Sequence, residues 1–211
     1  MKAELNPFWK HLTLGAAIGA MLLATSVAGV AEAQPASMPI APMLNPTERV
    51  ITISDQDVPL AATRYRSVMS KGVVDVKGED VPLPAGVKLL PGEVVRINYR
   101  NGVAVHEAKS GTCTATATVR TPTSANSAES LHSYYRGSGC STSAYIRGAL
   151  WANTWLGMSL MDSLSVTVKP GHTTWWGTSK RCAGFDATTW YAETGWPAIV
   201  SSPDVTLKCN P

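Results

Sequence analysis

The chain has 211 residues, of which 45% are hydrophobic and 16% are charged, and its formal net charge is +3. The apolar content is that of a globular fold, which argues against a disordered chain. The charge is small and the basic residues are scattered, so the sequence gives no reason to expect nucleic acid or an anionic membrane as a partner.

The N-terminus has the three parts of a secretory signal peptide. Lys2 and Lys10 make a weakly positive start, and residues 12–31 are almost wholly apolar. Ala31-Glu32-Ala33 places small residues where a signal peptidase reads, so we expect cleavage before Gln34. An uncleaved membrane anchor is the alternative, because the apolar stretch is nearly long enough to span a bilayer. The signal peptide, residues 1–33, predicts a secreted or periplasmic protein without a membrane span after cleavage.

The next segment, residues 34–47, reads as a proline-rich linker. Pro35, Pro39, Pro42 and Pro46 recur every three or four residues, and each fixes φ and removes an amide donor. We therefore expect an extended linker, followed by a single domain over residues 48–211.

The domain has a dominant period of two, which is typical of β-strands. In Val94–Arg100, Val95, Ile97 and Tyr99 share one face, and Asn101-Gly102 follows as a hairpin signal. We expect this run to pair with Val103–Lys109. Thr112–Arg120 alternates more strictly still, so we expect its threonines to face solvent and its alanines to face the core.

The second half of the domain contains one ambiguous segment and one misplaced acid. Residues 142–156 have weak helix signals, and we favour a strand because Gly148 would interrupt a helix and the aromatic residues suit a strand. Asp162 shares its alternation face with Leu160 and Leu164. A buried lone carboxylate is costly, so we favour a bend or β-bulge at Asp162-Ser163 that turns the side chain outward. The alternative is an acid with a perturbed pKa in a functional site. The sequence as a whole predicts an all-β, disulfide-bearing, antiparallel β-sandwich, with a closed β-barrel as the alternative.

An even number of cysteines in an exported chain favours disulfides. The four cysteines are Cys113, Cys140, Cys182 and Cys209. Of the three pairings, the nearest-neighbour one, Cys113–Cys140 with Cys182–Cys209, is preferred. Each bridge would close a short loop and contribute about 3–4 kcal/mol in the chain-entropy model.

The sequence offers no catalytic signature. His106-Glu107 starts like a zinc-protease motif, but Ser110 stands where the second histidine is needed. No histidine or cysteine spacing suits a metal, and we predict neither a metal nor a cofactor. We therefore name no catalytic residue, although a serine, histidine and acid that meet only in three dimensions stay open.

The tryptophans are concentrated at the C-terminal end, since all except Trp9 follow residue 150. Trp151 and Trp155 are expected in the core. Trp175 and Trp176 are adjacent, so in a strand they face opposite sides and one should be exposed unless both faces are covered. The predicted ligand-binding surface consists of Trp175, Trp176, Trp190, Tyr191 and Trp196, because exposed aromatic rings stack on sugars or insert into a hydrophobic partner.

These features favour an exported, non-enzymatic binding module whose C-terminal aromatic surface takes carbohydrate or cell-surface ligands, including an extracellular protein. The alternatives are a secreted hydrolase with a site not visible in sequence, and a protease-inhibitor-like interaction protein with a loop tied at Cys140 or Cys182.

Overall fold

The computed structural model describes residues 48–59, 68, 72–78, 81–109, 111–195 and 198–211. The chain divides into two units, residues 1–42 and 43–211. The first unit and residues 43–47 lie outside the described part, and with them the predicted signal peptide and linker. Among the described residues, no helix has the length and apolar character needed to cross a bilayer.

All thirteen elements formed by the described residues are β-strands, as the period of two predicts. They are β1 Glu48–Ile53, β2 Val73–Lys77, β3 Val94–Tyr99, β4 Gly102–Ala108, β5 Thr114–Arg120, β6 Thr123–Ser124, β7 Ser127–Arg136, β8 Ala144–Thr154, β9 Gly157–Val168, β10 His172–Arg181, β11 Gly184–Thr194, β12 Val200–Ser201 and β13 Val205–Asn210. Most of the ambiguous segment at residues 142–156 is therefore a strand, β8.

The strands form two sheets. Sheet A has eight strands in the order β1-β3-β4-β5-β7-β10-β2, with β6 beside β7. Sheet B has five strands in the order β12-β11-β8-β9, with β13 also paired to β11. All pairs are antiparallel except β1 with β3. Among the described strands neither order closes on itself, so the closed-barrel alternative is wrong.

One hydrophobic core is shared by the two sheets. Sheet A contributes the side chains of Val105, Ala117 and Trp176, and sheet B contributes those of Leu150 and Trp190. We call the sides that meet in this core the inner faces. Because strand side chains alternate, the residues between these point to the outer faces.

Sheet A carries a second core on its outer face. Val95, Ile97, Leu131 and Trp175 pack there with residues from outside the sheet, among them Val58. Both faces of sheet A are thus covered. This corrects the expectation that the threonines of residues 112–120 face solvent, because Thr116 and Thr118 lie on the outer face and are buried.

The two disulfides are Cys113–Cys140 and Cys182–Cys209, each with a sequence separation of 27. This is the nearest-neighbour pairing favoured by the sequence. The second bridge joins the end of β10 in sheet A to β13 in sheet B, so it ties the two sheets together.

The predicted β3–β4 hairpin is present, but its turn lies one residue earlier than expected. Tyr99 pairs with Gly102, which leaves Arg100 and Asn101 as the turn. Gly102 belongs to β4, where an added Cβ would clash with the Val119 carbonyl oxygen and stand 2.9 Å from Cγ2 of Val58. The glycine is required by this close approach rather than by the turn.

Candidate functional site

Three of the predicted binding tryptophans are fully buried. Trp175 packs in the outer core of sheet A, and Trp176 packs in the shared core. Trp190 also lies in the shared core, where its Nε1 donates to the Cys209 carbonyl at 2.9 Å. These three tryptophans are not exposed, as a binding surface requires, because each lies on a sheet face that is covered.

The other two predicted residues differ. Tyr191 is half-buried and lies on the outer face of sheet B, opposite Trp190. Trp196 lies outside the described residues. The predicted surface is therefore represented by Tyr191 alone among the residues that can be placed.

A different aromatic surface surrounds Tyr191. Trp151 lies between Leu150 and Ala152, which are both in the shared core, so its side chain is on the outer face of sheet B. The strand register aligns Leu160 of β9, Trp151 of β8 and Tyr191 of β11 in one row. Met158 lies in the next row. We call these four residues, with Glu193, the aromatic face.

The two aromatic rings of this face are held parallel. Their centroids are 6.1 Å apart and their planes differ by 4°. The Trp151 Nε1 donates to the Glu193 carboxylate at 3.0 Å, which fixes the orientation of the indole. Burial raises the pKa of Tyr191, and the carboxylates of Glu193 and Asp204 raise it further. The Tyr191 phenol is therefore neutral.

A β-bulge places Leu160 in this row. Leu150 pairs with Asp162, whereas Trp151 pairs with Leu160, so Met161 is the extra residue. A β-bulge is present next to the expected position, but the prediction that it turns Asp162 outward is wrong, because Leu160 changes face instead. Asp162 stays on the inner side, where its carboxylate accepts the Ser179 backbone N–H at 2.8 Å. This hydrogen bond gives the Asp162 carboxylate a partner on the face where strand alternation places it.

The expectation that Trp151 and Trp155 lie in the core is wrong, since Trp151 is half-buried on the outer face of sheet B and Trp155 is exposed. Arg147 and Asn153 share its parity in the strand, and Leu150 and Ala152 have the opposite parity. Once the segment is taken as a strand, this pattern places Trp151 on the polar side. The signal was therefore present in the sequence.

The described residues include three histidines, of which two are buried and one lies at a sheet edge. His106 and His132 are buried, and burial lowers their pKa values to about 4 and about 3. His172 Nδ1 contacts Asp75 at 2.9 Å at the β10–β2 edge. Within the described ranges no serine hydroxyl hydrogen-bonds to a histidine. A cavity of about 180 Å³ is lined by Val68, Gly72, Leu164, Gly177, Thr178 and Ser179, with neither a histidine nor an acid.

Metal-binding groups are not brought together in the described part of the chain, where no three of His, Cys, Asp and Glu are placed to hold an ion. The aromatic face combines two parallel rings, two exposed apolar side chains and the Glu193 carboxylate on one sheet face. The chain matches no protein-family model, no curated protein and no solved structure.

Proposed function

We propose that this protein is an exported, non-enzymatic binding module that takes carbohydrate on the aromatic face of sheet B. The observation that carries the proposal is the parallel Trp151–Tyr191 pair, oriented by Glu193 in the middle of an open sheet face. It replaces the contact surface predicted from the C-terminal tryptophans, since three of those are internal.

Sugar chemistry fits this combination of groups. The C–H face of a sugar ring packs on an aromatic ring, and its hydroxyls donate to carboxylates. Glu193 lies beside the rings, and Leu160 extends the apolar row across β9. Neighbouring strands are about 4.8 Å apart, so the three-strand row is about 10 Å wide.

The scaffold of this module is an antiparallel β-sandwich over residues 48–211, preceded by a signal peptide at 1–33 and a linker at 34–47. The shared core between the sheets supports the sandwich, and the two disulfides support an oxidising compartment. Expression with the native N-terminus tests export. The secreted or periplasmic protein should begin at Gln34, and retention of residues 1–33 on the mature form would reject the cleaved signal.

The binding site is tested with calorimetry and affinity electrophoresis against a panel of soluble polysaccharides. We expect at least one polysaccharide to bind the wild-type protein. The same polysaccharide should bind Trp151→Ala and Tyr191→Ala at least tenfold more weakly. Phe185→Ala is the matched control, because Phe185 is 71% exposed on β11 and outside the aromatic face. No binding across the panel, or equal binding by Trp151→Ala, would reject the proposal.

A further inference from the structure

The turn between β8 and β9 exposes two large apolar side chains. Thr154 pairs with Gly157, so Trp155 and Leu156 form the two-residue turn. Trp155 is 91% exposed and Leu156 is 71% exposed. Turns of this length ordinarily hold glycine, asparagine or aspartate. Packing of the domain does not require these side chains, since they contact little of it.

The turn is held in one geometry. The Leu156 N–H donates to the Thr154 hydroxyl at 3.2 Å, and that hydroxyl donates to the Gly157 carbonyl at 3.0 Å. The Ser159 hydroxyl donates to the same carbonyl at 3.2 Å. Gly157 has a φ of 90°, which favours glycine at this position. Trp155 and Leu156 are therefore presented in a fixed arrangement, which lowers the entropy lost on insertion.

The end of the hairpin carries no charge. No charged residue occurs from Gly148 to Met161. Protein interfaces surround an apolar centre with a polar rim. This uncharged tip, with its two exposed apolar side chains, is better matched to an uncharged apolar layer than to a protein surface.

We propose that the turn residues Trp155 and Leu156 insert into the headgroup–acyl boundary of a lipid bilayer. Tryptophan favours that boundary, because its ring is apolar and its N–H is polar. Neutral lipid suffices, since the tip has no charge to neutralise. This contact goes beyond carbohydrate binding and uses side chains that are separate from Trp151, Tyr191 and Glu193.

The experiment is flotation of the mature protein with phosphatidylcholine vesicles, together with tryptophan quenching by brominated lipid. Wild type should float with the vesicles. Removing both tip side chains, in Trp155→Ser/Leu156→Ser, should reduce partitioning by tenfold or more, in line with the transfer free energy of such side chains. Trp155→Phe should keep binding within a few-fold and lose most of the quenching.

Control variants and two contradicting results complete the flotation experiment. Phe185→Ala and Trp151→Ala should float like wild type, which separates this contact from the carbohydrate site. Absence of flotation by wild type, or equal flotation by the double variant, overturns the proposal. The proposal is also overturned if light scattering shows a wild-type dimer that the double variant does not form. In that case the tip would contact a second copy of the chain.

Discussion

The tryptophans of β10 and those of the β8–β9 hairpin lie in opposite environments. Trp175 and Trp176 are adjacent and both fully buried, whereas Trp151 is half-exposed and Trp155 almost fully exposed. Sheet A has a hydrophobic core against each face, while the core of sheet B lies against its inner face. The number of covered faces, rather than the residue type, decides whether an aromatic side chain in a strand supports the fold or is free to contact a ligand.

The largest expected difference in the free energy of unfolding is between truncations of one tryptophan from each region. Trp176→Ala should lower the free energy of unfolding by about 3–5 kcal/mol, because it empties part of a close-packed core. Trp155→Ala should change it by less than about 0.5 kcal/mol, as is usual for exposed positions. Guanidinium denaturation monitored by circular dichroism measures both. Similar losses for the two variants would contradict the comparison.

A smaller effect is expected at Gly148, which faces the aromatic pair of the shared core. His132 and Trp176 stack there with centroids 5.6 Å apart. A Cβ at Gly148 would clash with Trp176 Nε1 and stand 2.7 Å from Cγ of His132. Gly148→Ala should therefore cost about 1–3 kcal/mol.

The matched control for this substitution is Gly184→Ala in β11. There the nearest atom to an added Cβ is Cβ of Asn210 at 3.8 Å. Alanine at this position should be neutral or slightly stabilising, because it reduces the freedom of the unfolded chain. Equal thermal shifts for the two variants would show that Gly148 is not under packing constraint.

Acid should act on the buried histidines of sheet A. Burial lowers the pKa of His132 to about 3 and that of His106 to about 4, from an ordinary 6.5. Below pH 6.5 the unfolded chain therefore binds protons that the folded chain does not, and stability falls as the pH falls. Each histidine should remove about 1 kcal/mol between pH 6.5 and 5.5.

Denaturation at the two pH values checks this slope. His132→Gln and His106→Gln should each flatten it, although they also alter the stability at pH 6.5. An unchanged slope in both buried-site variants would show that folding does not lower the pKa values of these two histidines.

The smallest effect is expected on the open face of sheet B. Glu193→Ala removes the acceptor of the Trp151 Nε1 hydrogen bond and should cost about 0.5–1.5 kcal/mol, as one partly exposed hydrogen bond does. Asp186→Ala, on an exposed part of the same strand, should change the stability by less than about 0.5 kcal/mol. Denaturant titration of both variants measures the difference. A loss above about 3 kcal/mol at Glu193 would mean that this face is structural rather than free to bind.

Local patterns in the sequence determined several features of this fold. The period of two gave the strands, and the nearest-neighbour spacing of the cysteines gave both disulfides. The Asn101-Gly102 signal located the β3–β4 hairpin, and the misplaced Asp162 indicated a bulge beside it. Each of these features depends on residues that are close together in the chain, so propensity and alternation are enough to predict it.

Tertiary structure alone decided which sheet faces are covered. Thr116, Thr118 and Trp175 are buried because a second core packs on the outer face of sheet A, with residues as distant in sequence as Val58 and Val81. Alternation predicts that two faces exist but not how many of them meet another layer. For the same reason the sequence directed attention to Trp175, Trp176 and Trp190, and the packing of the sheets moved the candidate site to Trp151, Tyr191 and Glu193.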